Sequence, residues 1–113
     1  MNATRSGLTP QTVEKIGSVL SRHPKVEKAV LYGSRAKGNY KNGSDIDLTL
    51  HGDELAHNDL LSIMWELDDL LLPYTIDLSI FEELDHAKLR EHIERVGVVF
   101  YERGSAGEHQ APL

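Results

Sequence analysis

The segment Asp45-Ile46-Asp47-Leu48-Thr49-Leu50 restricts the fold of this chain more than any other. Its alternation puts Ile46, Leu48 and Leu50 on one face of an extended segment and Asp45, Asp47 and Thr49 on the other. Aspartate is a poor strand residue. A strand that opens with two of them is expected to bury its apolar face and leave the carboxylates on an open one. Upstream, residues 26–32 (V-E-K-A-V-L-Y) read as a first strand that breaks at Gly33-Ser34. Residues 34–44 then read as a loop with Gly-containing turn signals and the cations Arg35, Lys37 and Lys41.

The rest of the chain supplies what such a strand needs around it. Thr9 is an N-cap candidate, Pro10 suits the first helical position, and Leu8 can staple against Val13. Val13, Ile16, Val19 and Leu20 recur at helical spacing, which predicts a helix over residues 10–22, stopped by Pro24. A second helix is predicted over residues 54–72. Leu60, Ile63, Met64, Leu67, Leu70 and Leu71 form one apolar stripe on it, and Leu61, Trp65 and Leu72 a second beside it. Either another helix of the same chain or a partner protein covers that second stripe. Residues 74–81 read as a strand with Ile76, Leu78 and Ile80 on one face and Thr75, Asp77 and Ser79 on the other. Asp85 can cap a third helix over residues 86–96, with Leu89, Ile93 and Val96 inward and Gly97 as its stop, before a last strand at residues 98–101.

This order predicts an α+β domain over residues 1–103: a short mixed β-sheet with helices packed on one face, leaving the other face to Asp45, Asp47 and Asp77. Residues 104–113 lack periodicity and read as a flexible C-terminal tail. The 113 residues suffice for one domain with a real core. A net charge of −6 argues against long nucleic acid as the main ligand, because phosphate neutralisation favours basic proteins, but leaves a nucleotide open. The apolar runs are too short to span a bilayer, and the N-terminus lacks the apolar core of a secretion signal. With no cysteine there is neither a disulfide nor a thiolate metal site, which fits a reducing cytoplasm. The six histidines show no ligand spacing and read as surface residues; His51, just past the aspartate strand, is the one placed to line a site there.

Two carboxylates at i and i+2 on a strand point the same way about 7 Å apart, given the ~3.3 Å rise per residue. They can flank a divalent ion; without one they repel, and one pKa rises. Each aspartate taken alone is most simply a solvated strand residue. Three on polar faces, near a Gly-Ser turn and a basic loop, point instead to two-metal phosphoryl or nucleotidyl transfer. Gly33 permits close backbone approach, and Gly33-Ser34 can offer N–H groups and a hydroxyl to phosphate, with Arg35 and Lys37 adding positive charge.

The spacing G-S-x10-D-x-D, from Gly33-Ser34 to Asp45-Ile46-Asp47, resembles the signature of the DNA polymerase β-like nucleotidyltransferase superfamily. The string G-S-R-A-K-G-N-Y-K-N-G-S-D-I-D-L is similar to its smallest members, the minimal nucleotidyltransferase (MNT) domain proteins, and the likeness spans nearly the whole chain. The resemblance implies a polymerase β-like fold. It also implies metal ligation by Asp45, Asp47 and Asp77 and a triphosphate held at Gly33 and Ser34, which agrees with the expectation of two Mg²⁺ ions and of ATP bound with help from the loop cations Arg35 and Lys37. It further implies an antitoxin that transfers AMP to a tyrosine of a HEPN-domain toxin, a ribonuclease, and so silences it. The alternatives are a non-catalytic antitoxin that occludes its partner, and an adenylyltransferase of the aminoglycoside-modifying type. Either a homo- or a hetero-oligomer is compatible with such a chain.

Overall fold

The computed structural model describes residues 7–38 and 45–103. The elements run α1 (Pro10–Ser21), β1 (Lys28–Tyr32), a one-turn helix α2 (Ser34–Lys37), β2 (Ile46–His51), α3 (His57–Asp69), β3 (Ile76–Ile80), a 3-10 turn (Phe81–Glu83), α4 (Ala87–Val96) and β4 (Val98–Glu102). The strands form one mixed sheet in the order β3-β2-β1-β4. β1 pairs antiparallel with both β2 and β4, and β2 pairs parallel with β3.

Strand alternation divides the sheet. Ala29, Leu31, Ile46, Leu48, Leu50, Leu78, Ile80 and Phe100 point into the main core, where α1 contributes Ile16, Val19 and Leu20 and α3 contributes Ile63 and Leu67. Thus the expected mixed sheet forms, with α1 and α3 packed on one face. α4 adds a partial cover on the opposite face, where Ile93 meets Val30 and Phe81 in a smaller cluster bordered by Tyr32.

Local chemistry explains the helix ends. Thr9 Oγ1 accepts from the Thr12 N–H at 3.1 Å, and Pro10 occupies the first turn. Arg103 closes the other end of α1: its guanidinium donates to the carbonyls of Val26 (3.0 Å), Ser21 (3.2 Å) and His23 (2.8 Å). α3 is shorter than its apolar pattern. It starts where Asp59 Oδ2 accepts from the Ala56 N–H at 2.9 Å, and by Leu71 the backbone has turned left-handed (φ 54°). α4 is capped by His86, whose Nδ1 accepts from the Leu89 N–H at 3.2 Å, rather than by the expected Asp85. The expected loop after Gly33 begins with the helical turn α2. Lys41 and the expected tail over residues 104–113 lie outside the described residues. No helix among the described residues is long and apolar enough to cross a membrane.

Candidate active site

The parallel register of β2 and β3 sets Asp47 opposite Asp77. The antiparallel register of β1 and β2 sets Tyr32 opposite Asp47. Three side chains from three adjacent strands therefore share one row on one face, with backbones separated by about 4.8 Å, the ordinary spacing of strands. Asp45 stands exposed at the entrance to β2, two residues before Asp47 and on the same side. The Ile46 N–H donates to the Thr75 carbonyl at 2.9 Å and ties the two strand entrances together. Deeper on the same face, Ser79 Oγ donates to Thr49 Oγ1 at 2.9 Å, directly behind the carboxylates.

Gly33 closes the row from above. Its φ of 78° is a left-handed value that L side chains avoid, and a Cβ there would collide with the Asp47 carboxylate. Conformation and space thus both call for glycine at the point where β1 turns into α2. The Lys37 N–H donates to the Gly33 carbonyl at 3.2 Å, and the Gly38 N–H to the Ser34 carbonyl at 3.0 Å. The first N–H groups of such a turn have no partner inside it. Lys37 is exposed, whereas Arg35 is buried, with its guanidinium 4.9 Å from the centre of the Tyr74 ring. The two cations paired in the sequence reading thus part company: one faces solvent and the other packs on the loop that leads into β3.

The electrostatics are those of carboxylates crowded on a half-covered face. Burial, then Asp77, then Asp45, push the Asp47 pKa above the usual aspartate range. Burial also raises the Tyr32 phenol; the hydrogen bond with Ser79 opposes this, and Asp77 and Asp47 add to it. Among the described residues, no three of His, Cys, Asp or Glu converge into a ready metal-binding group. The donor set nonetheless suits a hard cation. Asp47 and Asp77 bring carboxylate oxygens from facing positions, and Mg²⁺ ordinarily takes one or two carboxylates, with phosphate and water completing its shell.

Sequence reasoning placed Thr49 and Ser79 on this face without giving them a role, and passed over Tyr32. The signal for Tyr32 was its parity: it is the last residue of β1 before Gly33, on the same face as the aspartates. His51 lies at the other end of β2, stacked on Phe81 with ring centroids 4.5 Å apart and with Nδ1 3.8 Å from Glu82, so it is remote from the carboxylates. Burial first, then Lys28, lower its pKa, while Glu82, Glu27 and Glu94 work the other way.

The family model described as "Polymerase beta, Nucleotidyltransferase" matches residues 14–106. No curated protein sequence matches this one. Several solved structures share the fold. A chain of a toxin–antitoxin crystal structure with AMP-PNP superposes with a TM-score of 0.67 at 21% identity, covering 85% of this chain and 77% of that one. A chain of the toxin–antitoxin complex MntA-HepT gives 0.63 at 19% identity, covering 88% and 78%. A third structure, a tri-AMPylated Shewanella oneidensis HEPN toxin in complex with an MNT antitoxin, gives 0.62 at 19% identity, covering 87% and 76%.

Proposed function

The chain belongs to the Polymerase beta nucleotidyltransferase family, and on that premise we propose that it is an antitoxin that transfers AMP from ATP to a tyrosine hydroxyl of a HEPN-domain toxin. The observation that carries this reading is the facing pair Asp47 and Asp77, with Gly33 packed over Asp47. That arrangement sets a carboxylate patch directly against a backbone turn able to accept phosphate. The nature of the group transferred and of its acceptor is supported by the fold-sharing complexes, one with AMP-PNP and one with an AMPylated HEPN toxin.

In this reading Gly33 and Ser34 cradle the triphosphate. The glycine lets phosphate oxygens approach the backbone, and the serine adds a hydroxyl. Lys37, exposed on α2, meets phosphate charge, while buried Arg35 braces the turn through Tyr74. Asp45, Asp47 and Asp77 would hold two Mg²⁺ ions. Bound there, the metal offsets the crowded negative charge and makes the α-phosphorus more electrophilic. Asp77 is exposed on β3, an edge strand, and is the carboxylate that an entering acceptor meets; it draws the proton from the acceptor hydroxyl. The hydroxyl oxygen bonds to the α-phosphorus as the bond to the oxygen bridging to the β-phosphate breaks, and pyrophosphate leaves. A cytoplasmic setting follows from the need for ATP and a toxin in one compartment.

The test is label transfer from α-labelled ATP to a purified HEPN partner, read with intact mass. The chain should add AMP to the toxin in the presence of Mg²⁺ and stop on chelation. The variant Asp45→Asn with Asp47→Asn should transfer nothing. Full transfer by that double variant would end the proposal, and loss of transfer without loss of toxin neutralisation would favour occlusion instead.

A further inference from the structure

Among the described residues, the exposed large apolar side chains are Leu61, Met64, Trp65, Leu71 and Val99. Four of these five belong to α3 and the segment directly after it, so the exposure is one patch rather than scatter. Trp65 is 74% exposed and Leu71 87%. Leu71 also has a positive φ of 54°, a conformation that a non-glycine residue rarely adopts. Of the second stripe, Leu72 packs against the main core, whereas among the described residues no helix covers Leu61 and Trp65.

Three observations say what should cover the patch. First, α3 contains Asp59, Glu66, Asp68 and Asp69 and neither Lys nor Arg. Asp59 is met by Lys25 at 3.7 Å, and Glu66 by Arg22 at 3.0 Å and His23 at 2.6 Å. Asp68 and Asp69 close the helix with no basic residue in its last turn. A second copy would set this acidic helix against itself, with no cation on α3 to answer it. A partner with basic residues around an apolar centre would be complementary. Second, the end of the same helix lies near the edge strand that carries Asp77. A small cleft lined by Leu67, Asp68, Leu72, Tyr74, Thr75 and Ile76 leads from the end of α3 to the residue before Asp77. Third, an exposed tryptophan flanked by leucine and methionine has the composition of an interface anchor.

We infer that the α3 face centred on Trp65, with Leu61, Met64 and Leu71, is where the acceptor protein docks, through an apolar surface rimmed by Lys or Arg. Docked there, the acceptor hydroxyl reaches Asp77 by way of the cleft at Tyr74 and Thr75. This inference rests on the function proposed above.

Trp65 is the only tryptophan in the chain, which gives a direct readout. The chain is labelled with fluorotryptophan and titrated with purified HEPN partner while its fluorine resonance is followed, and AMP transfer is measured against partner concentration. The resonance should move on addition of partner. Trp65→Ala with Leu61→Ala should raise the KM for partner by about 30-fold or more, as expected for an anchor, with kcat at saturating partner within twofold of the parent. Both positions are exposed, so the fold survives, and a circular dichroism melt confirms it. Asp68→Lys with Asp69→Lys should also weaken binding. An unmoved resonance together with an unchanged KM would overturn the inference. So would a concentration-dependent dimer that the Trp65 variant abolishes, since a second copy would then occupy the face. If the resonance moves but the parent transfers no AMP, the docking surface stands and the enzymatic reading fails.

Discussion

Gly33 sits against the carboxylate of Asp47 so closely that one added methyl group would strike it. The turn and the strand carboxylate are therefore built as one unit, although eleven or more residues of chain separate Gly33 from the Asp-x-Asp strand. Gly33→Ala meets two penalties at once, a left-handed φ and this collision. The strain should lower stability by ~1–2 kcal/mol. Because relief requires moving Asp47 or the turn, transfer should fall by about 100-fold, in line with the effect of small misplacements at reacting centres. Thermal unfolding and single-turnover label transfer check the two halves separately.

Asp47 places a pH signature on the apo protein. Its folded-state pKa is raised by burial, Asp77 and Asp45, so the folded state binds this proton more tightly than the unfolded state does. Its contribution is thus present below the unfolded aspartate pKa of about 3.8 and is lost as pH rises through the raised folded value. Asp47→Asn should melt higher than the parent at pH 7 without Mg²⁺ and nucleotide, and the difference should vanish near pH 3.5. The same variant should be inactive. Melts across that pH range measure the gap.

Behind the carboxylates, the Ser79–Thr49 hydrogen bond crosses between the two strands that carry Asp47 and Asp77. Thr49 is fully buried. Ser79→Ala leaves its hydroxyl short of this partner and should lower stability by ~1–3 kcal/mol, whereas Ser79→Ala with Thr49→Val should recover most of the loss. Urea denaturation of the single and double variants gives the coupling energy.

Arg103 reaches four backbone carbonyls around the end of α1, those of Leu20, Ser21, His23 and Val26, and its own N–H donates to the Glu27 carbonyl at 3.0 Å. Arg103→Met keeps the aliphatic stem and removes the guanidinium. It should cost about 1.5–3 kcal/mol, the range for hydrogen bonds to a charged group, and leave the KM for ATP unchanged because α1 lies on the far side of the sheet from Asp47. A chemical melt paired with steady-state kinetics tests both statements.

Much of this arrangement was legible in sequence because it depends on period. A repeat of two sends Asp45, Asp47, Asp77 and Thr49 one way and Ile46, Leu48, Leu50 and Leu78 the other, and the sheet obeys that division. Gly33 was legible because left-handed backbone beside a close neighbour favours one residue type. Side-chain direction within a single helical turn has no such code: Arg35 and Lys37 look alike in sequence, yet one is buried on Tyr74 and the other meets water. Tyr32 needed the β1–β2 register, which a thirteen-residue connection leaves open. The cap at His86 rather than Asp85 turns on a one-residue difference in where the chain enters α4, below what pattern can resolve.

The mixed topology of the sheet has a temporal side. β1 and β2 form a local antiparallel pair, but Asp77 arrives only when α3 has folded and β3 has docked in parallel beside β2, some thirty residues later in the chain. Such non-local pairings are slow to form. A chain that has closed only its hairpin would own the turn and the first two carboxylates but not the third. Under the proposed mechanism, the ability to modify a toxin would therefore be acquired only once β3 has docked, and a half-folded molecule would be inert.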